Sequence, residues 1–262
     1  MFETEEPLSA ALRRTGWAAA LSEREFERAF QGVFERRYPA GALVAAKGEL
    51  SEHWFGVITG MVKVDTNQAD GKSTTFIGVS AGGWLGEGAL LKKEPRPYEV
   101  IALQDTRMAF MAGGTFRWLY EHSLAFNHFL ITQLNARLGQ FISIVERSRM
   151  HSTPELIAYG LATLVDPRPQ PYAQGRVCIS QEELGKLCGV SRQVAARELH
   201  KLVEDGVIAV EYGAIDVKDM QRLRSAAGMQ EAGSLMLPET SRGQQGQAQQ
   251  EGQAAGPALS PP

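Results

Sequence analysis

Between Ile179 and Val203 the chain gathers side chains suited to hydrogen-bonding an extended polar surface: Ser180, Ser191, Arg192, Gln193 and Arg197. A guanidinium is a planar fork of N–H donors, an amide offers both donor and acceptor, and a hydroxyl does the same at shorter reach. The fork matches guanine O6 and N7, the amide reads adenine or another base edge, and the hydroxyls suit phosphate oxygens. Each bidentate base contact discriminates by about 1–3 kcal/mol. The alternative is a structural helical hairpin whose arginines are simply solvated.

Positioning these groups requires short helices meeting at a sharp angle. Ile179-Ser180-Gln181-Glu182-Glu183-Leu184 sets a serine three residues ahead of Glu183, a capping-box pattern that starts a helix. Leu184, Leu187 and Cys188 form its inward face, Gly189 supplies backbone freedom for a turn, and Val190 packs into the angle. Ser191 caps a second helix, with Arg192, Gln193, Ala196, Arg197 and His200 on one side and Ala195, Leu199, Leu202 and Val203 inward. Asp205-Gly206 leads into Val207-Ile208-Ala209-Val210, and Tyr212-Gly213-Ala214 into Ile215-Asp216-Val217, a β-hairpin. Two helices, a glycine turn and a hairpin wing make a winged helix-turn-helix, an arrangement that puts the second helix's N-terminus in the major groove.

Upstream, residues 8–35 have helical spacing, with Leu8, Leu12, Trp17, Leu21, Phe26, Phe30 and Phe34 inward. From Tyr38 to Met111, short runs such as Ala42-Leu43-Val44, Trp54-Phe55-Gly56-Val57-Ile58 and Met61-Val62-Lys63-Val64 are punctuated by Gly41, Gly48, Gly60, the Asp70-Gly71 turn and Gly82-Gly83. Such a run of short strands predicts a small antiparallel barrel or roll. One long helix is expected from Phe116 to about Ser148, carrying Ile131, Leu134, Leu138, Phe141 and Val145 at spacings of three and four. That stripe reads as a dimerisation seam, with Arg137, Glu146, Arg147 and Arg149 solvated. An ordinary helix lying on its own barrel is the alternative.

Pro154 opens a helix through Leu164, which Asp166-Pro167-Arg168-Pro169-Gln170-Pro171 stops. The Gln-, Gly- and Pro-rich stretch 228–262 buries too little apolar area to offset its ordering entropy, so disorder is expected there. The resulting fold class is α+β. Residues 1–37 are a helical segment, 38–115 an N-terminal antiparallel β-roll, 116–149 the long dimerisation helix, 150–225 the C-terminal winged helix-turn-helix and 226–262 a tail.

With 262 residues, 44% hydrophobic and 22% charged, the chain has apolar material for more than one core. Its net charge of −3 excludes a polybasic nucleic-acid coat, so any DNA binding must be local. Cys178 and Cys188 are too few and too clustered for a disulfide framework, which fits a reducing cytoplasm. Met1 to Trp17 lacks the pattern of a secretory signal, and no stretch has the ~18 uninterrupted apolar residues of a membrane span. No membrane partner is expected.

From about residue 20 to 225 the chain resembles the Crp/Fnr superfamily, the cyclic-AMP receptor protein family of bacterial regulators. The resemblance rests on element order and on two stretches, Ile179-Ser180-Gln181-Glu182-Glu183-Leu184-Gly185 and Gly189-Val190-Ser191-Arg192-Gln193-Val194. It implies a cyclic-nucleotide-binding-like roll and a homodimer on a two-fold symmetric double-stranded DNA site, with RNA polymerase a further partner if the protein activates. It also implies base contact by Arg192, phosphate contact by Ser191, and base or backbone contact by Arg197. Many members carry glutamate where this chain has Gln193, so the preferred base should differ.

The resemblance makes Gly86 to Arg96 the counterpart of a phosphate-binding cassette, with Glu87 for a ribose hydroxyl and Arg96 for a cyclic phosphate. Pro97 stands where a hydroxyl residue is expected and Tyr98 where a small one is, while Phe141 and Ile142 fall where hydroxyls would meet the base. The expectation is therefore no cofactor, with a Glu87–Arg96 ion pair as a structural alternative. Two cysteines cannot hold an iron-sulfur cluster, and His53, His122 and His128 have no ligand spacing for haem, so no metal is expected. No nucleophile–base pair is apparent, so no catalytic residue is assigned and the chain is not expected to be an enzyme. A ligand-sensing or protein-interaction module without strong DNA binding is the competing function.

Overall fold

The computed structural model describes residues 6–67, 73–150, 152–165, 175–211 and 213–229. Three short helices lead: α1 (Leu8–Arg13), α2 (Gly16–Ala19) and α3 (Glu23–Phe30). Ser22 caps α3 through a reciprocal capping box with Glu25. The helical segment ends earlier than its spacing predicts, because Gly32 packs against Thr115 so closely that a Cβ would lie 1.9 Å from its hydroxyl. The chain then extends as β1 (Val33–Tyr38). Phe34, expected inward on a helix, instead sits on this strand, 36% exposed and stacked on Phe110.

The roll continues with β2 (Leu43–Ala45), β3 (His53–Thr59), β4 (Met61–Asn67), β5 (Ser73–Ser80), β6 (Trp84–Leu85), α4 (Glu87–Lys92), β7 (Glu99–Ala102) and β8 (Thr106–Ala112). Two antiparallel four-stranded sheets, β1-β8-β3-β6 and β2-β7-β4-β5, enclose Phe55, Val57, Val62, Val64, Ile77, Val100 and Met108. Gly60 turns β3 into β4 at φ +92°, where a Cβ would also strike Thr106. The strands β4 and β5 pair on either side of the Asp70-Gly71 turn, which lies outside the described residues. A second core of Trp17, Trp54, Trp84, Phe116 and Phe126 ties the leading helices to the roll.

The helix expected from Phe116 is two helices, α5 (Gly113–His122) and α6 (Leu124–Met150). Ser123 between them is extended, and its hydroxyl accepts from the Phe126 amide at 3.3 Å, capping the second. Twenty-seven residues make α6 about 40 Å long. Phe126 and Leu130 bury its first turns.

The C-terminal part comprises α7 (Thr153–Leu164), β9 (Arg176–Val177), α8 (Gln181–Cys188), α9 (Arg192–Glu204), β10 (Ile208–Glu211), β11 (Ala214–Val217) and α10 (Met220–Ala226). Pro154 lies in the first turn of α7, as its sequence implies; the Pro-rich stop at 166–171 and the tail from 230 lie outside the described residues. A third core of Ile157, Leu161, Leu184, Leu199, Ile208 and Leu223 also takes in Met61 of the roll. There β5 approaches α7 so closely that a Cβ on Gly78 would lie 2.6 Å from Leu164. The two parts share one compact unit. Among the described residues, no helix is long and apolar enough to cross a membrane.

Candidate nucleic-acid interface

The Ser180 hydroxyl accepts from the Glu183 amide at 3.1 Å and starts α8. The reciprocal half of the expected capping box is missing, because the Glu183 carboxylate turns to Lys63 of the roll at 2.9 Å and to Lys186. Gly189 ends α8 at φ +69°. At Gly185 a Cβ would meet the Val190 carbonyl at 2.9 Å, so the turn folds back tightly on α8. Ser191 then caps α9 by accepting from the Val194 amide at 3.3 Å. Both serine oxygens are thus engaged as caps, while each hydroxyl proton remains available to an outside acceptor.

On α9, Arg192, Gln193, Arg197 and His200 are exposed, Ala196 is half-buried, and Ala195, Leu199 and Leu202 are buried. Val203, expected inward, is 38% exposed at the outer edge of the last turn. Arg192 makes no hydrogen bond or ion pair with another described residue, so its fork is free. Arg197 is committed differently: Nε and Nη2 both lie 2.8 Å from Oε1 of the buried Glu198. Glu198 also accepts from Lys201 at 2.8 Å. The Lys201 hydrogen bond, opposed by burial and aided by Arg197, holds the Glu198 carboxyl below the usual carboxylate range. The wing hairpin β10–β11 is braced by Arg176, which pairs with Glu211 and Asp216.

The roll brings Glu87 and Arg96 into one neighbourhood without pairing them. Glu87 is buried, accepts from Trp54 Nε1 at 3.4 Å and lies 3.7 Å from Arg137 Nη1. Arg137, expected in solvent, also donates to the Trp84 carbonyl at 2.9 Å. Arg96 is equally buried; Nη2 donates to the Ser51 hydroxyl at 2.8 Å and the guanidinium lies over the Phe55 ring. Its Nε has no hydrogen-bond partner among the described residues, and burial, opposed by Tyr98 and Glu49, lowers its pKa. Burial and then Glu87 push the Tyr98 hydroxyl up, against Arg96 and Arg137, so Tyr98 shares this space.

A family model described as a cyclic nucleotide-binding domain matches residues 35–123, and one described as a Crp-like helix-turn-helix domain matches 157–226. Together they take in more than half of the chain. The chain belongs to the Crp/Fnr family. Like its relatives, this regulator is a DNA-binding transcription factor. It is 26% identical over 207 residues to the cyclic AMP receptor protein of Thermus thermophilus, covering 79% of this chain and 94% of that protein. It is 24% identical over 209 residues to the CRP-like protein Clp of Xanthomonas axonopodis pv. citri, covering 77% and 91%. The fold is shared with FixK2 from Bradyrhizobium japonicum, at TM-score 0.64 and 17% identity, over 74% of this chain and 96% of that one.

The residues expected at a dimerisation seam, Ile131, Leu134, Leu138, Phe141 and Val145, line one stripe of α6 and are 37–58% exposed. Arg147, expected in solvent with them, lies instead against the C-terminal part, bonded to the Ala227 carbonyl with its guanidinium 4.2 Å over Tyr159. Among the described residues, no group of three or more His, Cys, Asp or Glu could hold a metal. His53 packs edge-on to Phe34 and Phe110, and His122 stacks on Trp118. Both cysteines are free thiols, and burial pushes Cys188 up to about 12.

Glu198 and Lys63 are the residues that sequence reasoning passed over. Glu198 had a local signal, since Arg197 and Lys201 flank it at positions able to reach it. The contact from Lys63 to Glu183 spans 120 residues and leaves no mark in the local pattern.

Proposed function

We propose that the regulator acts as a homodimer through the α6 seam and sets two copies of α9 into successive major grooves of a two-fold symmetric site. Ser191 and Ser180 donate to phosphates, Arg192 and Gln193 read base edges, and Arg197 reaches bases or backbone. The observation that carries this reading is the N-terminal face of α9, where an uncommitted Arg192 and Gln193 stand beside a capped helix terminus. The exposed apolar stripe on α6 supports the dimer, since a contiguous apolar patch left open on one chain is what a second copy would cover. If the regulator activates, RNA polymerase is the further partner.

The relatives include a protein named for cyclic AMP, yet the roll of this chain is poorly furnished for a cyclic nucleotide. Arg96 Nε keeps one N–H for an anion. Against it, Glu87 is already held by Trp54 and Arg137, Pro97 offers no donor, and Tyr98 fills the neighbourhood. A pocket built for hydrogen bonds binds weakly when donors are missing. No role as an enzyme is proposed.

Arg192→Ala tests the reading. Binding to a selected duplex should fall toward the level for random DNA, with the dimer intact by sedimentation. Undiminished selectivity would refute Arg192 as a base reader.

A further inference from the structure

Glu198 occupies a place that its helix otherwise gives to apolar side chains. Ala195, Leu199 and Leu202 form the buried stripe of α9, and Glu198 stands in that stripe at 2% exposure. A carboxylate withdrawn from water costs free energy unless charged donors meet it, and an apolar residue would fill the place without that cost. The donors are Arg197 and Lys201, one turn apart on the outward side of the same helix, with side chains 63% and 55% exposed. The carboxylate thus serves the exposed face of α9 and not the core that it borders.

Its two oxygens are divided between them. Oε2 accepts from Lys201 Nζ at 2.8 Å, and Oε1 lies 2.8 Å from both Nε and Nη2 of Arg197. A guanidinium carries five N–H donors in one rigid plane, and this contact takes the edge formed by Nε and Nη2. The end-on edge, with one N–H each from Nη1 and Nη2, has no other partner among the described residues. A free arginine side chain has a large rotamer entropy to lose on binding, and a fork clamped along one edge loses less. The clamp also biases what the fork can meet. A phosphate brought to it feels the like charge of the carboxylate, whereas guanine O6 and N7 are uncharged acceptors matched to a two-donor edge.

We propose that Glu198 is a positioning residue for DNA reading: held by Lys201, it clamps one edge of Arg197 and presents the other, committing Arg197 to a guanine edge rather than to the phosphate backbone. This rests on the DNA-reading assignment above, which leaves Arg197 open to either role.

The test is selection of duplexes from a random pool by the full chain. Affinities are then measured for the enriched site, for that site with its guanines replaced one at a time, and for random duplex. Arg197→Ala should erase the guanine preference at one base pair of each half-site, a loss of about tenfold or more. Glu198→Met keeps the length and apolar contact but offers no acceptor. It should weaken the preference at that same base pair by about threefold or more and leave the other base pairs unchanged. Its binding to random duplex should hold or tighten, because a negative charge is gone from beside the phosphates. Glu198→Gln keeps one acceptor and should fall between Glu198→Met and wild type. Once Arg197 is alanine, Glu198→Met should alter no base preference. Thermal melts confirm that each variant is folded, and Glu198→Gln carries the comparison if Glu198→Met is not. Three results would each overturn the proposal while leaving the DNA-reading assignment standing. They are Arg197→Ala weakening all sequences equally, the full guanine preference surviving in both Glu198 variants, or Glu198→Met lowering every position of the half-site together with random binding. A wild type that enriches no sequence would overturn both.

Discussion

Lys63 joins the roll to the helix-turn-helix, and removing it gives a sharp prediction. Lys63 is 6% exposed, and its ammonium lies 2.8 Å from Asp65, itself 1% exposed, and 2.9 Å from Glu183 on α8. Burial pulls the lysine down, but hydrogen bonds to Asp65 and Glu183 outweigh it and hold the group above its ordinary value. With the folded value raised, the stabilisation is fully present below the unfolded lysine pKa of about 10.4 and is lost only as pH climbs past the folded one. At pH 7 the Lys63 ammonium is therefore charged.

Lys63→Met leaves Asp65 buried without its cation, and breaking such a pair costs about 3–5 kcal/mol. Glu183→Gln costs only about 1 kcal/mol, because Lys63 keeps Asp65 and the Glu183 side chain is partly solvated. Urea unfolding of the wild type, both single variants and the double variant closes a cycle. If α8 is docked on β4 through this contact, Glu183→Gln should cost almost nothing once Lys63 is methionine, giving a coupling of about 1 kcal/mol. Additivity within ~0.3 kcal/mol, the behaviour of independent sites, would refute the docking.

Leu138→Glu puts a carboxylate in the apolar stripe of each helix, and sedimentation should show the dimer weakened by at least about tenfold in Kd; an unchanged mass would discount the seam. Calorimetry with cyclic AMP and cyclic GMP should detect no binding tighter than ~10 μM, and a sub-micromolar constant would restore the nucleotide pocket. Glu198 has a lowered pKa, so its contribution is present above the unfolded carboxylate value and lost as pH falls through the folded one. Glu198→Gln should therefore be less stable than wild type at pH 7, and the gap in urea unfolding should close below about pH 4. A gap independent of pH would mean that Glu198 acts through packing alone.

What was readable in the sequence was local. Ser180, Gly189 and Ser191 announce a cap, a left-handed turn and a second cap within twelve residues; α8 begins and ends on the first two, and α9 begins on the third. The β-roll was legible from its glycine-punctuated apolar runs, because a strand's period and its turns are both short-range features. Partnerships between distant segments were not legible. The charge of Arg137 suggested solvent, yet α6 passes over α4 and brings it to Glu87. Apolar spacing carried the long helix back to Phe116, although Ser123 divides it, because periodicity registers faces and not backbone breaks. Val203 kept the period of Leu199 but sits beyond the reach of the core at the end of α9.

The central claim is that α9 reads DNA as one of a symmetric pair. Selection of duplexes from a random pool by the purified full-length regulator tests it most directly. The account predicts enrichment of a two-fold symmetric sequence whose half-sites are centred about one helical turn, roughly 34–36 Å, apart. Enrichment of an asymmetric single site, or none at all, would contradict it.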